Sequence, residues 1–390
     1  MSAETLPQQR PSAPRLHQFD GLRGVLAVYV MLGHLTPMLP LPAFWAHGLG
    51  LLFGHGFAAV NLFFALSGLV IVQSLARFEG RIGAFWLARA QRLLPVYYLV
   101  LSVAILGLAL PTPFSVMPWL HQGDVAHQIW ELSLPTKLGA HILVHLFLAQ
   151  GVLLRHSLTD VQFSLLGPSW SLSTEWQFYA LIALLSLKFR PTTTGLAPLV
   201  WIFLALALAG RAYAALAPLD WQFHRAFLPN EAGYFAIGIA AAGFWRGQHT
   251  LKLFLAALLI TIGLGVSHGA DAPTMLAKAL PPLIWAMVVN AQRTPDHRLY
   301  QPLAALLSHR AVQWLGAISY PLYLLNEPVS RALALIIGTV TGQNRLWFTL
   351  LWLPLSLGLS IGLAALLHYQ IERRFTRTRQ PPARMAASAS

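Results

Sequence analysis

The sequence predicts an all-α polytopic membrane protein, and three observations predict it. Asp, Glu, Lys and Arg make up only 10% of the 390 residues, against about 25% in soluble globular proteins. Hydrophobic residues make up 56%, and mean hydropathy is +0.59. Apolar segments long enough to cross a hydrocarbon layer of about 30 Å recur along the chain. Thirteen acidic and 26 basic side chains are too few to cover so apolar a chain in water. The composition argues against a soluble enzyme, a disordered chain and a secreted disulfide scaffold. The formal charge of +13 reads as loops held on one side of a membrane, since no soluble basic domain is left over to bind nucleic acid. Cysteine is absent, which removes disulfides, thiolate metal sites and a cysteine nucleophile.

Residues 1–18 are polar, carry Pro7, Arg10, Pro11, Pro14 and Arg15, and read as a flexible cytoplasmic tail. Residues 19–372 read as one membrane domain whose first span is not cleaved, and 373–390 as a flexible basic cytoplasmic tail. Eleven apolar segments begin near Phe19, Gly50, Leu93, Gly139, Trp170, Gly195, Pro229, Leu251, Thr274, Val312 and Leu346. The basic residues decide how many cross. If 139–154 does not cross and the N-terminus is inside, 18 of the 26 Lys and Arg fall on the cytoplasmic side. If it crosses, every later cluster flips, and about half of them move outside. The expectation is therefore ten transmembrane helices, both termini cytoplasmic, and 139–154 as a re-entrant or interfacial helix. Pro321 and Pro328 are expected to kink the ninth span.

Ionisable groups inside a membrane are costly, so each one there is a functional-site candidate. Arg23 and His34 both lie in the first span. Eleven residues at 100° each is about 20° past three turns, so the two share a face, ~16 Å apart along the axis. The structural alternatives are a snorkelling anchor for Arg23 and an interhelical hydrogen bond for His34. Arg89 and Arg92 form an i, i+3 pair at a helix start, and paired guanidinium groups suit phosphate; ordinary topological charge is the competing reading. Glu175 lies about five residues below the outer face, a depth matched by His34, where a carboxylate can orient an imidazole. Asn61 puts an amide in the second span, and Ser67-Gly68 reads as close helix packing. Ser171 lies near Glu175, while Tyr320, Tyr323, Asn326 and Glu327 follow helical spacing beside Pro321 and Pro328, where a hydrogen-bonded kink is the competing reading. Asp20 reads as an N-cap of the first span. His141 and His145 are spaced i, i+4, but no third ligand follows at metal-site spacing, so no metal is expected.

Several of these motifs together resemble the acyltransferase-3 family of bacterial integral membrane O-acyltransferases. The likeness runs from about Leu16 to Arg374. It comprises Phe19-Asp20-Gly21-Leu22-Arg23-Gly24, the Arg23-x10-His34 spacing and Val60-Asn61-Leu62-Phe63-Phe64-Ala65-Leu66-Ser67-Gly68. It continues with Arg89-x-x-Arg92-Leu93-Leu94-Pro95, Trp170-Ser171-Leu172-Ser173-Thr174-Glu175 and Ile318-Ser319-Tyr320-Pro321-Leu322-Tyr323-Leu324. The chain departs from the family pattern at Trp176 and Asn61, where acids are frequent, and near Asn326, where a histidine is frequent.

The resemblance implies ten core spans in the bacterial inner membrane. It implies transfer of an acyl group, usually acetyl, from acyl-CoA to a hydroxyl of a cell-surface or exported glycan or glycolipid. On that reading Arg89 and Arg92 hold the CoA phosphates and Arg23 a further phosphate or the developing oxyanion. His34 is the general base and Glu175 orients it. Asp20, Asn61, Ser67, Ser171, Tyr323, Asn326 and Glu327 are candidate acceptor-site or supporting residues. The alternative is a transporter or flippase, for which kinked helices with buried ionisable groups are equally suited.

Overall fold

The structure is a computed structural model that describes residues 16–78, 80–121, 124, 126, 134–189, 195–245, 250–267 and 272–377. Of the segments read as tails over 1–18 and 373–390, residues 1–15 and 378–390 lie outside the described residues, as do the basic residues Arg190 and Arg246. The described residues are helical, and their only β feature is an isolated bridge between Leu154 and Phe223.

Among the described residues ten helices of 16 residues or more make up the body. They are α1 (His17–Leu35), α3 (Gly56–Phe78), α4 (Ile82–Gly107), α6 (Ser169–Lys188), α7 (Leu196–Leu216), α8 (Leu228–Trp245), α9 (Leu251–Val266), α10 (Ala272–Arg293), α12 (Arg310–Val340) and α13 (Arg345–Leu367). Shorter helices are α2 (Ala43–Phe53), α5 (Leu138–Leu146), α11 (Gln301–Ser308) and α14 (Arg373–Arg377). Among the described residues five stretches are long and apolar enough to cross a membrane: Ala43–Phe78, Ile82–Gly107, Leu196–Leu216, Ala272–Arg293 and Arg345–Thr376. The chain is thus a multi-pass membrane protein. Large apolar side chains such as Leu106, Leu184, Leu208, Leu259 and Leu350 stay exposed around the bundle, as a lipid-facing belt requires.

Segment 139–154 contains no long helix. α5 has nine residues, or ~14 Å, too short to cross. The third apolar segment starts eleven residues before its expected Leu93, at Ile82, so Arg89 and Arg92 lie well inside α4. Asp20 is not an N-cap: α1 begins at His17, its N-cap position is Leu16, and Asp20 is exposed in the first turn. The helix also reaches two residues into the tail expected over 1–18. α12 runs unbroken through both Pro321 and Pro328. After it, Gly342 and Gln343 adopt positive φ (55° and 67°), and Asn344 caps α13 through bonds from the Leu346 and Trp347 amides.

Almost every residue of α8 is buried, and its Ala and Gly residues let α3 and α7 close on it. α1 packs chiefly on α12, and α12 on α13. At the first of these contacts two glycines face each other. A Cβ on Gly24 would lie 2.6 Å from the Gly316 nitrogen, and one on Gly316 would run into the Asp20 carbonyl oxygen. That seam sets the height of Arg23 and His34 against α12. Gly316→Leu should therefore destabilise the chain by about 1–3 kcal/mol or more through overpacking. Thermal unfolding in detergent checks this, and an unchanged midpoint would remove the seam's role.

Candidate active site

Three arginines, one carboxylate and several hydroxyls converge on one cavity. It spans about 780 Å³ of atom-free space including its open mouth, and its polar walls include Arg23 (α1), Ser67 (α3), Arg89 and Arg92 (α4), Ser171, Glu175 and Tyr179 (α6) and Ser319, Tyr320 and Tyr323 (α12). The sequence spaces these residues so that each faces inward. Arg89 and Arg92 are one turn apart on α4, Glu175 and Tyr179 one turn apart on α6, and Ser319, Tyr320 and Tyr323 one turn of α12.

The cations occupy one end of the cavity. Arg89 donates to Ser74 Oγ (2.7 Å) and lies over the Phe85 ring at 5.7 Å. Arg92 faces Glu372 at 3.9 Å, and Glu372 is itself bound to His368 Nδ1 at 2.8 Å. Glu372 is held there by the π-helical segment His368–Glu372 that follows α13. The Nε atoms of Arg23 and Arg89 are buried without a hydrogen-bond partner. Buried guanidinium donors are normally satisfied, so these two Nε–H groups could serve an oxyanion held in the cavity.

The carboxylate sits farther in. Glu175 Oε1 accepts from Ser67 Oγ (2.5 Å) and Oε2 accepts from Tyr179 OH (2.8 Å). Ser67 is eleven residues, or ~16 Å, from the start of α3, whereas His34 is one residue from the end of α1. Glu175 therefore lies deeper than the matched depth expected for the pair, beside the arginines and not beside His34. The Ser67-Gly68 reading divides as well. Gly68 packs against α8 near Phe235, but Ser67 is part of the cavity.

His34 meets Asn326. The Asn326 Nδ2 donates to the carbonyls of Tyr323 (2.7 Å) and Leu322 (3.3 Å), which turns Oδ1 toward His34 Nδ1 at 2.7 Å. An amide oxygen can only accept, so His34 Nδ1 carries the proton and Nε2 of the neutral ring is the basic atom. Asn326, and not Glu175, is thus the partner of His34 Nδ1. Tyr323, one turn from Asn326, lines the arginine cavity and links the two places. Its hydroxyl meets Ser171 Oγ at 3.0 Å, and Ser171 in turn donates to Pro168 O (3.1 Å), so Tyr323 is the donor of the pair.

The remaining candidates fall elsewhere. Asp20 stays at the exposed start of α1. Glu327 is buried against Gly167 and, with Arg331, lines a separate apolar slot beside α4. Asn61 joins a different polar cluster. Its Nδ2, oriented to satisfy its neighbours, donates to Glu231 Oε2 (3.1 Å) and Phe57 O (3.2 Å), and its Oδ1 accepts from Tyr234 (3.0 Å). His141 Nδ1 meets Ser164 Oγ (2.7 Å) and His145 Nδ1 meets the His141 carbonyl (2.9 Å). Among the described residues no three His, Asp or Glu side chains converge as metal ligands. Tyr179, Ser74 and Glu372 had not stood out in the sequence. Only Tyr179 carried a signal, its i, i+4 spacing from Glu175; Ser74 and Glu372 reach the arginines through tertiary packing alone.

Comparison with known proteins agrees with the motif pattern. The family model described as an acyltransferase domain, acyltransferase-3, matches residues 16–369. The chain is 28% identical over 364 residues to acyltransferase MdmB of Streptomyces mycarofaciens, covering 87% of this chain and 85% of that protein. A shorter likeness, 35% over 107 residues, covers 25% of this chain and 50% of protein 2 in the picA locus of Rhizobium radiobacter. No solved structure matches. With the match spanning nearly all of the helical body described above, the chain belongs to the acyltransferase-3 family.

Proposed function

We propose that the protein is an O-acyltransferase that moves an acyl group, acetyl by preference, from cytoplasmic acyl-CoA to a hydroxyl of a glycan or glycolipid at the opposite membrane face. The observation that carries this reading is the cavity with two orphaned guanidinium nitrogens at one end and, one turn beyond Tyr323 at the other, a histidine whose proton is held on Nδ1. Family membership supports the acyl chemistry, and it leaves the transporter reading without an observation in its favour.

The roles follow from the positions. Arg89, Arg92 and Arg23 take the phosphates of the CoA nucleotide, where forked donors are strongest. Glu175, held by Ser67 and Tyr179, limits the positive charge of the cavity and orders its wall. The pantetheine arm runs past Tyr323 toward the His34–Asn326 pair. His34 Nε2 removes the proton of the acceptor hydroxyl as its oxygen attacks the thioester carbonyl. The carbon–sulfur bond breaks, and the departing thiolate takes that proton back from His34. Asn326 stabilises the imidazolium that forms between the two steps and keeps the ring in the basic tautomer.

Ten crossings with both termini inside place the arginine end of the cavity at the cytoplasmic face and His34 toward the outer one, in keeping with the segregation of basic residues. A reporter fused after Lys188 should read cytoplasmic; a periplasmic reading would overturn this orientation. His34→Ala should lower acyl transfer by about 10²–10⁴-fold while CoA binding is retained, and Asn326→Leu should lower kcat with little change in KM. Turnover by the His34 variant at the wild-type rate would refute the base assignment. Arg89→Ala combined with Arg92→Ala should raise the KM for acyl-CoA at least about tenfold, as loss of charge-assisted hydrogen bonds implies. An unchanged KM in steady-state assays would remove the phosphate role.

A further inference from the structure

Two ionisable residues of α12, Glu327 and Arg331, stand apart from the walls of the arginine cavity and are only 4% and 6% exposed. They are one turn apart, and Arg331 is ~14 Å short of the end of α12 at Val340. An arginine in a membrane helix normally extends its head to water. Arg331 instead lines a slot between α4 and α12, and its Nε is buried without a hydrogen-bond partner. Orphaned buried donors are uncommon, and an ionisable group held inside a membrane is a functional-site candidate.

The slot spans about 760 Å³ of atom-free space including its open mouth. Its outer wall is the end of α4. Val103, Leu106 and Gly107 lie there at i, i+3 and i+4 on one face, and Leu110 follows in the next turn. Val103, Leu106 and Leu110 are exposed, so this wall belongs to the lipid-facing belt. The inner wall is buried. Leu165 and Leu166 lead into Gly167, against which the Glu327 carboxylate lies. At Gly107 the slot has room to spare, since a Cβ there would meet no atom within 4 Å. The slot therefore opens toward the hydrocarbon of the bilayer and ends on a carboxylate and a guanidinium.

The apolar walls suit an alkyl chain, and the two charges select its head. Glu327 and Arg331 attract each other, so their charges offset. An added anion would face the carboxylate and an added cation the guanidinium, at the low dielectric of a membrane interior. A hydroxyl group suits both, because its oxygen accepts from Arg331 Nε–H while its proton goes to Glu327.

We propose that this slot binds a neutral, hydroxyl-bearing membrane lipid of the acylglycerol type, its chain along the end of α4 and its head on Glu327 and Arg331. The proposal does not rest on the acyl-transfer reading. Asn326 directly precedes Glu327, so the lipid head sits at the height of the His34–Asn326 pair on α12.

A monoacylglycerol with a photoreactive diazirine in its chain tests this on the purified full chain in amphipol, with adducts mapped by peptide mass spectrometry. Adducts should concentrate in residues 103–110 and 327–332. On the unaltered chain, monooleoylglycerol should displace the probe. Octadecene, which lacks the head, and the anionic lysophosphatidic acid of the same chain should each need at least about tenfold more, as loss of a hydrogen bond to a charged group implies. Gly107→Leu should abolish the slot adducts by filling the space. It puts a better helix former in place of glycine, so its unfolding midpoint should not fall. Gly358→Leu, on the exposed side of α13 where a Cβ likewise meets nothing, should leave the adducts in place. Arg331→Met should erase the preference for monooleoylglycerol over octadecene. Adducts spread evenly over the lipid-facing belt, or slot adducts that survive Gly107→Leu, would overturn the site. Displacement by octadecene or lysophosphatidic acid as readily as by monooleoylglycerol would overturn the assigned head. The competition uses the unaltered chain, so it decides even where a variant is unstable.

Discussion

The close approach of α1 and α12 at Gly24 and Gly316 is the contact on which the candidate active site depends. With no side chain at either position, the two backbones pack near enough for α1 to aim Arg23 and His34 at α12. Arg23 then enters the wall shared with Ser319, Tyr320 and Tyr323, and His34 reaches Asn326 three turns higher. A wider separation would strand a guanidinium and an imidazole in a membrane interior, where neither has water to fall back on.

The second governing constraint is the cost of charge in a low dielectric. The bundle meets it in two ways. Around Glu175, a carboxylate and three arginines share one cavity, so opposite charges offset one another without a direct ion pair to Glu175. Around Arg225, the Glu231 carboxylate and the Phe57 and Trp170 rings hold one guanidinium.

Much of this was legible in the chain itself. Residue spacing put Arg23 and His34 on one face, paired Arg89 with Arg92 and singled out Glu175, and the structure brings four of those five to one cavity. The segregation of basic residues discounted 139–154 as a span, and the helix there is only nine residues long. The partner of His34 differs from the expected one: its Nδ1 meets Asn326, while Glu175 is held by Ser67 and Tyr179, contacts that depth counted from segment ends does not specify. The start of the third apolar segment was misplaced because hydropathy marks where a helix becomes continuously apolar, not where its hydrogen bonds begin, and α4 carries Arg89, Gln91 and Arg92 before Leu93.

The sequence by itself determined the class of molecule, its helical body, its family and which ionisable groups stand out against the apolar background, because composition and helical period act locally along the chain. Only the tertiary structure decided which of those groups meet. The Asn326 amide, the Ser67 and Tyr179 hydroxyls and the Glu372 carboxylate reach their partners across helices far apart in sequence. No local pattern records the rotation and height at which two helices pack; that is set by the small residues at their seams and by the need to pair every buried polar group.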